Sequence, residues 1–374
     1  MMSTLSHAAT GSRAWRYANP VAVRFGYGVL DELGALCGAR PVVLVCYPEA
    51  HQTGLVTRIE RLLGDRLQGV VSDIESNPDA EGLERLYGDF WRTHGQCGLI
   101  VAAGGGSTID TAKVLMVGTA SGRFDELLQS LATGASFTPA HHKPLIAVPT
   151  TAGTGSEVTG WATVWERARG LKHSLALKQT WPETALVDPE LTLSLPAQPT
   201  LSAGLDALSH ALESIWNIHH NPVSDALAIE AARKVLAHLP QLMEALQDRG
   251  LRYELALAAL SAGLAFSNTK TALAHSISYP MTLQHGLAHG IACSFTLPMV
   301  LERAIGANAG RDAVLGRIFD CPLEQAPGQL VDFLERLGVS TRFEDYGVSH
   351  EQARILIAQA LDGVRGQNFI GRHT

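Results

Sequence analysis

Four short apolar runs, each closed by turn-forming residues, constrain this chain more than any other feature. Val42-Val43-Leu44-Val45-Cys46, Leu99-Ile100-Val101-Ala102-Ala103, Leu145-Ile146-Ala147-Val148 and Ala185-Leu186-Val187 contain no polar residue. Glycines follow the second run, Pro149 the third and Asp188-Pro189 the fourth. A strand with one wet face alternates apolar and polar residues, whereas an unbroken run suits a strand covered on both faces in a parallel sheet. Residues 52–63 and 80–93 read as helices between these strands. The strand–helix order predicts a doubly wound α/β unit. After Pro196 and Pro199 the strand-like runs stop. Residues 200–218, 223–247, 251–267, 312–318, 323–337 and 349–360 read as helices, with Asn221-Pro222 and Gly250 as turns between them. The expected fold is therefore α/β plus all-α: an N-terminal doubly wound parallel-sheet domain over 1–195 and an all-helical domain over 196–374. A ligand cleft is expected between them.

Composition excludes several classes. The 374 residues carry a net charge of −7, which gives no general attraction to nucleic acid or to an anionic membrane. Five cysteines, Cys37, Cys46, Cys97, Cys293 and Cys321, are an odd number with no CxxC pair, which argues against a disulfide framework or a cysteine-based zinc knot. No run of about 18 apolar residues reads as a membrane span. The first twenty residues lack the apolar stretch of a signal peptide. A cytoplasmic protein is the expectation.

Two turns follow buried strands. Gly104-Gly105-Gly106-Ser107 leads from the second run into a helix containing Asp110 and Lys113. Glycines let a ligand approach the backbone closely, and a helix N-terminus offers free N–H groups and a positive dipole end, a combination suited to a pyrophosphate. A bare glycine turn also serves as nothing more than a turn. The second, Pro149-Thr150-Thr151-Ala152-Gly153-Thr154-Gly155-Ser156-Glu157, supplies hydroxyls and backbone donors after the next strand, although Thr154 or Ser156 alone could be a helix cap. Ligands of open α/β sheets bind at the carboxyl edge of the strands, so two polar turns there favour a dinucleotide.

The helical half carries a second kind of chemistry. Asp206 and His210 lie four apart, hence on one helix face, and His275 and His289 sit among small apolar residues. An isolated Asp/His pair is usually a solvated face, and a lone apolar-flanked histidine is usually a core residue. Together, three imidazoles and one carboxylate suit Fe²⁺ or Zn²⁺ with a position left open for substrate. Such a centre keeps about one net positive charge, enough to stabilise an alkoxide.

These motifs together resemble the iron-containing (group III) alcohol dehydrogenases, related in fold to dehydroquinate synthase, over about residues 21–371. The resemblance implies that Gly104, Gly105, Gly106, Ser107 and Asp110, with Lys113, form the GGGSxxDxxK cofactor turn. It implies that Thr150, Thr151 and Thr154 belong to the PTTxGTGSE turn at the nicotinamide half of NAD(P)H. Lys172, ten residues before Pro182, joins the cofactor set, and Asp206, His210, His275 and His289 become the metal ligands. Many members carry an acidic residue where Tyr47 stands, so NADPH is expected to be accepted. Many carry a relay histidine where Tyr279 stands, so Tyr279 and His285 become the candidate proton path, with solvent as the alternative. The segment from Ser267 to Pro298 is similar to phosphonoacetaldehyde reductases. That likeness implies a small anionic aldehyde held by Lys270, Asn268 and Trp161, with Thr269, Thr271 and His285 as further donors, and at least a homodimer. Lys270 as a plain solvated lysine is the competing reading. A general short-chain alcohol or aldehyde dehydrogenase, a dehydroquinate-synthase-like lyase and a non-catalytic binding protein are the other functions in play.

Overall fold

The computed structural model describes residues 14–373; most of the segment read above as lacking a signal peptide lies outside them. Ten strands appear in chain order: β1 (Ala22–Phe25), β2 (Val42–Cys46), β3 (Leu67–Val71), β4 (Leu99–Gly104), β5 (Val117–Gly118), β6 (His141–His142), β7 (Leu145–Pro149), β8 (Trp161–Glu166), β9 (Leu171–Ala176) and β10 (Thr184–Val187). Six of them form one parallel sheet in the order β1-β10-β7-β4-β2-β3. Alternate residues of β2 explain its unbroken apolar sequence. Val43 and Val45 join the core on one face of the sheet, while Val42, Leu44 and Cys46 join the core on the other. Helices α1 (Leu33–Cys37) and α2 (Leu55–Leu63) cover the second face, and α3 (Ala80–His94), α4 (Gly106–Leu115) and α5 (Phe124–Thr133) cover the first.

Strand β10 ends at Val187 and the helical half begins with α6 (Ala197–Ile215). It continues through α7 (Pro222–Glu244), α8 (Arg249–Thr269), α9 (Leu273–His285), α10 (His289–Ser294), α11 (Leu297–Ala304), α12 (Ala309–Leu315), α13 (Ala326–Arg336) and α14 (His350–Asp362) around one large apolar core. No described helix is long and apolar enough to cross a membrane, and the five cysteines are free.

Several elements escaped the sequence reading. The edge strands β1 and β3 are short and interrupted by Arg24 and by Gln68-Gly69, so neither shows an unbroken run. The antiparallel hairpin β8–β9 carries Trp161, Thr163, Trp165, Lys172 and Ser174 to the site described below. Helices α9 and α10 are buried on most sides, which erases the amphipathic period used to recognise a helix, and Pro280 lies inside α9.

Candidate active site

A cavity of about 790 Å³ lies between the carboxyl edge of the sheet and the helices, bordered by Gly105 and Ser107 on one side and by Asp206 and His289 on the other. Each wall is made differently.

The sheet side is two interlocked turns. Gly105 caps α4 and Gly106 is its first residue. A Cβ on Gly106 would stand 2.7 Å from the Thr154 methyl carbon, so only glycine lets the two turns close on each other. Behind them lies a buried polar network. The Lys113 ammonium reaches the Ser156 carbonyl at 2.6 Å, the Ser156 hydroxyl at 2.9 Å and the Trp161 carbonyl at 2.7 Å. Asp110 accepts from the Ser156 hydroxyl at 2.6 Å and from the Thr163 N–H at 2.8 Å. Burial draws the Lys113 ammonium down to about 8 and lifts the nearby Glu157 carboxyl to about 7. Lys113, fully buried, is thus a strut beneath the second turn and does not face the cavity. Ser107, Asp110, Thr151 and Thr154 line the cavity, whereas Gly104 and Thr150 lie behind it, joined by a Thr150 N–H bond to the Gly104 carbonyl of 3.0 Å.

The helical side is built from side chains. Asp206, His210 and Glu213 follow each other at i, i+4 and i+7 along one face of α6. His210 Nε2 lies 3.7 Å from Asp206 Oδ1, and His275 Nε2 lies 3.5 Å from the same oxygen. The His210 and His275 rings stack at 4.6 Å between centroids, and His289 stands across His275 at 5.6 Å. Burial raises the Asp206 carboxyl, but the imidazoles around it outweigh burial and hold it well below the usual carboxylate range. Burial pushes His210 down to about 4, so it is neutral at physiological pH and one of its ring nitrogens offers a lone pair. Asp206 Oδ1, His210 Nδ1 and His275 Nε2 are buried with no hydrogen-bond partner. Orphaned polar atoms cost free energy unless something satisfies them, and a divalent cation fits the lone pairs of Asp206 Oδ1 and His275 Nε2.

Two residues here were missed by sequence reasoning. Glu213, fully buried, accepts from His275 Nδ1 at 2.6 Å and from the backbone N–H groups of Ala272 and Ala274 at 2.9 and 2.6 Å. It fixes the His275 tautomer, leaves Nε2 free toward Asp206 and satisfies the start of α9. Cys293 is the other: one donor atom from each of Asp206, His275, His289 and Cys293 lies within 4.8 Å of the rest. Gly290 allows α10 to approach α6, because a Cβ there would overlap the Ser202 carbonyl.

A third region is cationic and aromatic. Lys172 Nζ lies 3.9 Å from the Tyr279 ring centroid and 5.3 Å from that of Trp165. Lys270 Nζ and the Arg365 guanidinium lie 5.9 and 5.5 Å from the Trp161 ring centroid. Among the described residues none of these three cations makes an ion pair, and all three line the cavity. Lys270 adopts φ 67, a left-handed conformation rare for a side chain of its size, and it ends α8 beside the cavity. Burial opposes ionisation of the Tyr279 hydroxyl, but Lys172 and then Arg365 outweigh it, bringing Tyr279 down to about 8. Arg365 follows α14 and carries no local motif, so nothing in the sequence marked it.

Three expectations are corrected. Asn268 is not turned to the cavity: its amide bonds both the N–H and the carbonyl of Ala18, at 2.9 and 3.2 Å, and tethers the N-terminal segment to α8. His285 ends α9, ten residues beyond His275 and hence about 15 Å along the helix axis, and it does not line the cavity. Tyr47 does not leave its end of the cavity without a carboxylate, because Glu49 lines that end beside it.

Comparison with known proteins matches both halves of the chain. Residues 20–189 match the family "Iron-containing alcohol dehydrogenase", and residues 200–372 match "Fe-containing alcohol dehydrogenase family, C-terminal". The NAD-dependent methanol dehydrogenase of Bacillus methanolicus is 30% identical over 93% of this chain and 94% of its own. The sulfoacetaldehyde reductase of Bilophila wadsworthia is 30% identical over 68% of this chain and 67% of its own. The crystal structure of sulfoacetaldehyde reductase from Bifidobacterium kashiwanohense in complex with NAD+ superposes with a TM-score of 0.87, at 31% identity and over 96% of this chain and 94% of that one.

Proposed function

The chain belongs to the iron-containing alcohol dehydrogenase family, and from that membership we propose that it reduces a short aldehyde bearing an anionic head group to the primary alcohol. It is an NAD-dependent oxidoreductase, and phosphonoacetaldehyde, giving 2-hydroxyethylphosphonate, is the substrate we assign. The carrying observation is the trio Lys172, Lys270 and Arg365. These are cations turned into the cavity without carboxylate partners of their own, in reach of the donor cluster at His275. Lys172 and Arg365 are half-buried, while Lys270 is exposed at the rim; a half-buried cation lacking a counter-charge is costly, and a phosphonate supplies that charge.

The site residues take the following parts. Asp206, His210, His275 and His289 hold the divalent cation. Gly105, Gly106, Ser107, Thr151 and Thr154 hold the dinucleotide at the N-terminus of α4. When bound, the cation polarises the carbonyl and the dihydronicotinamide supplies hydride. Lys270 and Arg365 seat the head group against Trp161, fixing which end of the aldehyde faces His275. Tyr279, acidified by Lys172, holds the proton that the product oxygen requires. Glu49 places a negative charge at the end of the cavity assigned to the adenosine ribose, which favours NADH over a coenzyme with a 2′-phosphate.

A sulfonate in place of the phosphonate is the second reading, favoured by the two sulfoacetaldehyde reductases among the relatives. Initial rates with phosphonoacetaldehyde, sulfoacetaldehyde and propionaldehyde separate these. Charge-assisted contacts are worth about 1.5–3 kcal/mol each, so an anionic aldehyde should exceed propionaldehyde by about 100-fold in kcat/KM, and Arg365→Met should remove most of that margin while changing the propionaldehyde rate far less, through Tyr279 alone. Equal rates on all three would end the head-group assignment and leave a general aldehyde reductase. One NADH oxidised per aldehyde consumed distinguishes reduction from a lyase of the same fold.

A further inference from the structure

Lys270 closes α8 at φ 67 and ψ 175, a backbone region that is home to glycine almost alone. Among the described residues glycine fills every other positive-φ position except Asn77. A side chain at such a place strains the backbone, and the strain persists only where neighbouring groups fix the peptide. Two buried amides do so. Asn217, fully buried two residues beyond the end of α6, donates through Nδ2 to the Lys270 carbonyl at 3.1 Å. Asn368, 7% exposed, donates through Nδ2 to the carbonyl of the next residue, Thr271, at 2.8 Å. The Lys270 N–H still closes the helix on the Phe266 carbonyl at 2.8 Å, and the Thr269 hydroxyl adds a second bond to the Lys270 carbonyl at 3.1 Å.

The two amides belong to one frame. The segments around them pair antiparallel, Asn217 opposite Phe369, with the Ile218 N–H on the Asn368 carbonyl at 2.8 Å and the Ile370 N–H on the Trp216 carbonyl at 3.2 Å. The same frame reaches the second cation, because the Asn368 N–H bonds the Arg365 carbonyl at 3.0 Å across the turn Gly366–Asn368. Lys270 and Arg365, far apart in the sequence, are thereby set by one ring, at 5.9 and 5.5 Å from the Trp161 centroid. We propose that Asn217 and Asn368 are positioning residues for the anionic head group: they hold the Lys270 peptide in its strained form and set it beside Arg365. This rests on the head-group reading above. Neither amide lines the cavity, so each acts through a cation and not on the substrate. Without them the Lys270 backbone relaxes, and Arg365 is left to face the anion alone.

Steady-state kinetics of the full-length, metal-loaded enzyme with phosphonoacetaldehyde and propionaldehyde test this. Asn217→Ala and Asn368→Ala should each raise KM for phosphonoacetaldehyde about 5-fold, the scale of one lost hydrogen bond, and shift KM for propionaldehyde far less. Lys270→Gly should weaken the preference for the anionic aldehyde yet melt a few degrees above wild type, because glycine adopts that backbone without strain. In the Lys270→Gly protein, adding Asn217→Ala should leave the remaining preference unchanged and lower Tm by less than it does in wild type. Equal losses of Tm in the two backgrounds, or failure to fold in both, would make Asn217 a plain structural residue and overturn the inference. A wild-type preference for phosphonoacetaldehyde that survives both alanine substitutions overturns it while leaving the head-group site intact. No preference in the wild type overturns both.

Discussion

Across the cavity, one wall grips with main chain and the other with side chains. At the sheet edge, Gly105, Gly106 and the N-terminus of α4 present backbone, and the side chains behind them, Lys113 and Asp110, hold one turn against the other. Among α6, α9 and α10 the wall is Asp206, His210, His275 and His289, each useful only because its head group points at the others. A backbone grip depends on local conformation, which glycines advertise. A side-chain grip depends on how helices distant in sequence cross, and its supporting groups belong to whichever residues the crossing brings near. Glu213 illustrates the point: it lies 62 residues from His275 and is bonded to it at 2.6 Å.

Changes on either wall should therefore fail separately. The largest effect is expected from Asp206→Asn, which weakens the donor cluster. kcat should fall by about 10³-fold or more, on the order of 4 kcal/mol of lost transition-state stabilisation, with bound metal reduced while the dissociation constant for NADH is unchanged. A matching loss of NADH binding would show that the two walls are not independent. Tyr279→Phe comes next, at about 10²-fold in kcat. The hydroxyl is a proton donor only while protonated, so wild-type reduction should be full below pH about 8 and decline above it, and the variant should lose that alkaline limb. A wild-type profile that stays flat to pH 9 would remove Tyr279 from the proton path.

On the opposite wall, Gly106→Ala forces the two turns apart at Thr154. Overpacking of about 1–3 kcal/mol should raise the dissociation constant for NADH by about 5–150-fold, leaving metal content untouched. Isothermal titration and metal analysis of the same sample check both halves of that statement. The smallest effect is expected from Glu49→Gln, which removes one exposed charge and should narrow the preference for NADH over NADPH by a few-fold, on the scale of an exposed charge contact. An unchanged ratio would mean that Glu49 does not face the ribose.

The legible parts of this protein follow the same division. The strands at Val42–Cys46 and Leu145–Pro149 announce themselves because burial on both faces demands apolar residues at consecutive positions. Helices α7 and α8 were visible through their length and their turn residues. Helices α9 and α10, which carry His275, His289 and Cys293, were not, because a helix buried all round has no polar stripe to set its period. Asn268 and Lys270 looked equivalent in the sequence. They differ because the helix ends at Lys270 with φ 67, which faces the cavity, whereas Asn268 is held by the peptide of Ala18 about 250 residues away.

By itself the amino-acid sequence determined the layered α/β plus helical architecture, the glycine turn and the identities of four candidate metal ligands. All of these follow from local rules of burial, backbone freedom and donor chemistry. Tertiary structure alone decided that Lys113 braces rather than binds, that Glu213 orients His275, that Arg365 joins Lys270 at Trp161, and that Cys293 stands beside His289. Charges and lone pairs act over a few ångströms, and the distances between these groups are set by how the elements pack, not by their separation along the chain.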